Sequence, residues 1–117
     1  MLEIDVLTLF PELISVPLSQ SIMGRAAEGG IISVKAHQLR DWTHDKYRRT
    51  DDYLCGGGQG MLMKCEPIFE AIEQLRRENT RVILMTPQGR VFSQPVAQEL
   101  AAPCMDGGDA HYIFLCV

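Results

Sequence analysis

Four short apolar runs constrain this fold most: Leu2 to Phe10, Ile31 to Ala36, Val82 to Met85 and His111 to Cys116. Each is strand-length, and helical signals fill much of the chain between them. Pro11-Glu12 opens a helix, because proline suits a first turn. Pro17 breaks or kinks it, and a second helical piece runs from about Leu18 to Glu28, ended by Gly29-Gly30. Glu66 to Asn79 predicts the clearest helix, with Pro67 at its first position and Ile68, Ala71, Ile72 and Leu75 spaced along one face. Glu70 and Glu73 precede Arg76 and Arg77, an order that complements the helix dipole. A short helix follows from Pro95 to Ala102. Strands alternating with helices specify an α/β fold: a parallel sheet with flanking helices, in one domain over residues 1–117. The unbroken run Val82-Ile83-Leu84-Met85 predicts a strand covered on both faces. Residues 37–60 show no sustained period of either kind, and a loop that long is more often functional than idle.

Composition narrows the class. Of 117 residues, 46% are hydrophobic and 22% charged, which excludes disorder, collagen-like repetition and a coiled coil. No apolar run reaches the roughly 18 residues that span a bilayer. Met1 leads into Leu2-Glu3-Ile4-Asp5 without a basic region, so no secretory signal and no membrane partner are expected, and the default location is cytoplasmic. The formal net charge of −4 hides segregation along the chain. Lys35, Arg40, Lys46, Arg48 and Arg49 face only Asp41 and Asp45 between residues 35 and 49, whereas Arg25 stands against four acids in the first 34. A local basic patch of that kind suits a nucleic acid. The cysteines at 55, 65, 104 and 116 form no CxxC pair, which argues for reduced thiols over zinc or disulfides, with Cys116 in the core.

Three segments could carry chemistry. Gly56-Gly57-Gly58-Gln59-Gly60 fits neither standard phosphate loop, because Met61-Leu62 stands where Lys-Ser/Thr is needed. It reads either as a solvated loop or as one that lets a ligand approach the backbone. The stretch Asp41-Trp42-Thr43-His44-Asp45-Lys46-Tyr47-Arg48-Arg49-Thr50-Asp51-Asp52 interleaves phosphate-binding cations with rings able to stack on unpaired bases. A solvated charged loop would look similar. His44-Asp45 lacks a nucleophile in a recognisable elbow, so hydrolase chemistry is not indicated. Thr86-Pro87-Gln88-Gly89-Arg90 directly follows a strand, either as an ordinary turn or as a wall of the site that open α/β sheets build beyond their strand ends.

Taken with Leu9-Phe10-Pro11-Glu12 and Gly24-Arg25-Ala26, these segments resemble the bacterial tRNA (guanine-N1)-methyltransferases, members of the knotted SPOUT methyltransferases. The likeness covers essentially the whole chain but only about the N-terminal half of the family's usual length. It implies a trefoil-knotted domain of which this chain is the part before the knot, without the C-terminal part or the second, helical domain. It also implies S-adenosylmethionine as methyl donor, tRNA as acceptor at the guanosine 3′ of the anticodon, and a homodimer. By position, Leu84, Thr86, Pro87, Gln88 and Gly89 match a cofactor-binding loop, and Gly60 a glycine near the cofactor. Arg25, His44, Asp45, Arg48, Asp51 and Asp52 match the segment facing RNA and the dimer partner, and Arg49 extends that basic run.

Two departures accompany the match. Gln59 replaces a usual proline, and Val117 stands where the family has a cofactor-contacting glycine after the last strand. No carboxylate here matches the family's catalytic base, so no catalytic residue is assigned and the chain alone is expected to be inactive. The alternative is a non-catalytic tRNA-binding or dimerising module. A third reading is a poorly folding piece that leaves Tyr112 to Cys116 as a bare apolar sheet edge.

Overall fold

The computed structural model describes residues 1–43, 51–53, 61–63 and 65–116, with backbone only for 51–53 and 61–63. The chain runs β1 (Leu2–Thr8), α1 (Glu12–Leu18), α2 (Ser21–Glu28), β2 (Ile32–Gln38), β3 (Asp51–Tyr53), β4 (Met61–Met63), α3 (Cys65–Leu75), β5 (Arg81–Leu84), α4 (Gln94–Ala101) and β6 (Ala110–Cys116). A 3-10 turn, Leu39–Trp42, closes β2. Four strands form a parallel sheet in the order β2-β1-β6-β5, and β3 and β4 make a small antiparallel pair. The α/β reading thus holds for the sheet and its helices.

Register explains the layers. Asp5 lies beside Lys35 and Ile113, and Val82 beside Ile113, so these residues share a face with Leu7 and Leu115. On that face Leu7, Leu39, Ile113 and Leu115 close against Ala71, with Ile68, Ile72 and Leu75 of α3 at the margin. The other face carries α1 and α2 over β2, and α4 beside β5 and β6. There the Tyr112 hydroxyl donates to the Leu100 carbonyl at 2.6 Å, fastening α4 to the sheet.

Local chemistry sets the element ends. Pro17 lies inside α1, which stops one residue later, and Ser21 restarts the chain as α2 from a left-handed backbone at φ 56°. Gly24 sits so close under Ser19 that an added Cβ would lie 2.4 Å from its carbonyl oxygen. α3 starts at Cys65, two residues before Pro67, whose missing N–H falls among the donors a first turn leaves unpaired. It ends four residues before the predicted Asn79. The Arg77 N–H donates to Thr80 Oγ1 at 2.8 Å, and Asn79 turns the chain at φ 68°.

Two expectations are corrected. β5 is an edge strand, and Val82 and Leu84 are 47% and 57% exposed rather than covered on both faces. The α3 side chains reach β1 and β6 but leave that outer strand bare. Conversely, Tyr112 to Cys116 is no sheet edge: β6 lies between β1 and β5, and Tyr112, Ile113 and Leu115 are buried.

Candidate functional site

All four strands of the main sheet point the same way, so Thr8, Gln38, Leu84 and Cys116 end at one edge. Ligand sites of open α/β sheets collect at such an edge. On the β2 side, Gln38 Nε2 donates to the Leu9 carbonyl at 2.9 Å, and its Oε1 accepts from the Arg40 N–H at 3.2 Å. The loop after β1 and the turn after β2 are therefore tied by one amide. Thr8 Oγ1 accepts from the Phe10 N–H at 3.1 Å and steers the chain out of β1.

On the β5 side, Met85 extends the ladder by donating its N–H to the Leu115 carbonyl at 3.1 Å. The chain then turns on itself. The Gln88 N–H donates to Thr86 Oγ1, and the Gly89 N–H to the Thr86 carbonyl, both at 3.3 Å. Leu84, Thr86 and Gly89 line a cavity of about 250 Å³ with Ile83 and Phe114 of the sheet and Val96 and Leu100 of α4. Pro87 and Gln88 belong to the same turn. Arg90 leaves it toward Glu99 of α4, at 3.5 Å. A Cβ on Gly89 would meet only Thr86, at 3.6 Å and beyond, so the turn itself has room for a side chain there. The cavity is apolar along the sheet, and Arg81, Thr86 and Arg90 add polar side chains to its lining. That mixture suits a flat heteroaromatic group, although the volume falls short of the roughly 300–1,000 Å³ of a whole-ligand pocket.

The predicted RNA-facing residues are not all brought into view. Arg25 is exposed in the last turn of α2, on a helix and not on a strand-end loop. Asp51 and Asp52 form the backbone of β3, paired with Met63 and Leu62. His44, Asp45, Arg48, Arg49, Gly60 and Val117 lie outside the described residues. Among the described residues no group of three His, Cys, Asp or Glu side chains is placed to hold a metal ion, and no helix is long and apolar enough to cross a membrane. Cys116 is half-buried at the strand-end edge, and burial pushes its thiol up from the ordinary value.

Sequence reasoning missed a polar centre inside the sheet. Asp5, buried in β1, accepts from His37 Nε2 at 2.7 Å on one oxygen and from His111 Nε2 at 2.6 Å on the other. Thr80 Oγ1 lies 2.6 Å from His111 Nδ1 and itself accepts from the Arg77 N–H. Each carboxylate oxygen accepts, so both histidines carry a proton on Nε2. Burial alone would raise the Asp5 carboxyl. The bonds from His111 and His37 outweigh it and hold the group below the ordinary carboxylate range. The available signal was an aspartate in the middle of an apolar strand.

A family model described as tRNA (Guanine-1)-methyltransferase TrmD matches residues 2–116. The chain belongs to that family. It is 44% identical over 116 residues to a protein of Dictyoglomus turgidum named tRNA (guanine-N(1)-)-methyltransferase, covering 99% of this chain and 45% of the relative. A protein of the same name from Staphylococcus epidermidis is 48% identical over 116 residues, covering 98% and 45%. Another from Dehalococcoides mccartyi is 50% identical over 103 residues, covering 86% and 42%. The chain thus spans about half the length of the curated relatives it matches.

Proposed function

We propose that this chain contributes to S-adenosylmethionine-dependent methylation of guanine N1 in tRNA, at the guanosine 3′ of the anticodon, in the cytoplasm and as part of a SPOUT-type knotted homodimer. The observation that carries the reading is the turn at Thr86–Gly89, set at the C-terminal edge of a parallel sheet beside a cavity, in a chain of this family. In this reading Leu84, Thr86, Pro87, Gln88 and Gly89 hold the methyl donor, with Gly60 and the position of Val117 nearby. Ile83 and Phe114 give a water-excluding wall, and Arg81, Thr86 and Arg90 supply polar side chains around it. The donor, when bound, supplies an electrophilic methyl group. The basic residues Arg25, Arg48 and Arg49 contact phosphates, while His44, Asp45, Asp51 and Asp52 orient bases and cations.

Methylation at guanine N1 removes a proton and gathers negative charge on the ring oxygen, so it needs a base and a nearby cation. The base must also leave its stack to be reached. No residue here is assigned either catalytic role, and the 117 residues alone are expected to bind without turning over. Exposed apolar side chains support self-association: Phe10 beyond β1, and Leu13 and Val16 on α1.

Calorimetric titration of the folded chain with S-adenosylhomocysteine tests the reading. Saturable binding in the micromolar range, lost on altering the 86–89 turn, is expected. A folded chain that binds tRNA but not S-adenosylhomocysteine would replace it with a non-catalytic RNA-binding module.

A further inference from the structure

A second cavity, of about 420 Å³, opens at the edge of the sheet where the strands begin, opposite the strand-end turn. Its walls come from three places: Met1 and Leu2 entering β1, Met23 and Ala26 of α2, and Cys104 and Met105 at the end of the 3-10 turn Ala102–Cys104 that follows α4. Backbone hydrogen bonds fix that frame. The Leu2 N–H donates to the Ile31 carbonyl at 3.1 Å, the Ala110 N–H to the Met1 carbonyl at 3.3 Å, and the Met105 N–H to the Ala102 carbonyl at 3.2 Å.

The lining is rich in sulfur. Three of the chain's six methionines line the cavity together with Cys104, and every other lining residue is leucine, isoleucine, alanine or glycine. No lining side chain offers nitrogen or oxygen, so sulfur supplies all the side-chain lone pairs. These methionines do not fill a closed core, the commonest use of the residue: Met105 is 77% exposed, and Met1 and Met23 also reach solvent. Cys104 is a half-buried free thiol.

Thioether and thiolate sulfur are soft donors, and they select soft cations such as Cu(I) over Mg(II), Ca(II) or Mn(II). Charge narrows the choice further. A thiolate carries one negative charge and thioethers none, so this donor set neutralises a monovalent cation but leaves a divalent one with net positive charge. A net charge against an apolar lining is costly. The Met1 ammonium stands outside that balance, because Asp109 pairs with it at 2.8 Å. Methionine has three rotatable side-chain bonds, so thioethers on fixed backbone anchors can turn inward onto an ion.

We propose that Cys104, Met1, Met23 and Met105 form a binding site for a soft monovalent cation of the Cu(I) class. On binding, the Cys104 S–H bond breaks, a sulfur–metal bond forms and the proton passes to solvent. The thioethers coordinate through lone pairs alone, and the metal keeps its oxidation state. The site is independent of the methyl-transfer reading, since it lies at the other end of the strands from the 84–89 turn.

The test titrates the chain, isotopically labelled at its methionine methyl groups, with Ag(I), a redox-inert stand-in for Cu(I). At one equivalent the Met1, Met23 and Met105 methyl signals should shift, while that of Met85, beside β5, stays still. Zn(II) at the same concentration should move none of them. Cu(I) affinity, measured by competition with a chelating dye, should fall about tenfold or more in Cys104→Ala and several-fold in Met23→Leu and Met105→Leu. The leucine variants conserve volume and should unfold near the parent midpoint. Methionine signals unmoved by Ag(I) overturn the proposal, as does undiminished Cu(I) affinity in Cys104→Ala. An equal shift of Met85 would show adventitious binding and remove the site. An equal response to Zn(II) overturns the preference for a soft monovalent ion. If Cys104→Ala fails to fold, Met105→Leu decides, because that side chain is exposed and its exchange leaves the core untouched.

Discussion

β5 and β6 are neighbours in one parallel sheet, both written in apolar residues, yet they live in different environments. β6 carries buried residues on both faces, with Ile113 and Leu115 under α3 and Tyr112 under α4. β5 leaves Val82 and Leu84 to solvent and gives way to the turn that borders the cavity. Hydrophobicity measures how well a residue tolerates burial, while strand order decides whether burial happens. The inner strand holds the sheet together, and the outer strand is free to present a site.

The sharpest break in that comparison is a matched pair of truncations. Ile113 is fully buried, so Ile113→Ala should cost about 2–5 kcal/mol through lost transfer energy and the cavity left behind. Val82→Ala, beside it in register but half exposed, should cost less than about 1 kcal/mol. Urea unfolding of both variants checks this. Equal losses would mean that β5 is as firmly packed as β6 and would remove the distinction.

β6 is also held by a polar tie that β5 lacks. Asp5→Ala leaves the buried His111 without its acceptor, and should cost about 1–3 kcal/mol. The native tie is sensitive to acid. The Asp5 carboxyl is held below its ordinary range, so its stabilisation is complete above the unfolded-state value, about 4, and is lost as pH falls through the folded-state value. Stability measured from pH 6 to pH 2 should therefore fall more steeply in the parent than in Asp5→Asn. Parallel curves would show that this carboxylate contributes nothing to acid unfolding. A smaller effect is expected at the other face. Tyr112→Phe removes the hydroxyl from the Leu100 carbonyl and should cost about 1 kcal/mol, loosening α4 while leaving the strands paired.

The parallel sheet was legible because its strands and helices differ in period and because Pro17, Gly29-Gly30 and Pro67 punctuate them. Strand order was not, since β5 and β6 look alike as strings and only the crossover places one at the edge. The turn at 86–89 was legible because proline and glycine follow a strand directly. The Asp5 centre was not, because its partners His37 and His111 lie far off in sequence and meet only after three strands are aligned. The helix that carries Arg25 was legible as well, from the helical pattern that ends at Gly29-Gly30.

The finest discrimination between the two strands falls on Gly89. Within the fold an added Cβ would make ordinary contact with Thr86 alone, at 3.6 Å to its Cγ2 and 3.7 Å to its carbonyl oxygen. Gly89→Ala should therefore change stability by no more than about 0.5 kcal/mol, the smallest effect in the series. A ligand held against the turn's backbone would meet that methyl group directly, so affinity for S-adenosylhomocysteine should fall while the unfolding midpoint stays put. Loss of both together would mean the glycine serves the fold, contrary to the ordinary contact an added Cβ would make there. Retention of both would place the ligand elsewhere in the cavity, against Ile83 and Phe114. Only the first outcome makes the turn after β5 a binding surface that the buried strand beside it supports but does not share.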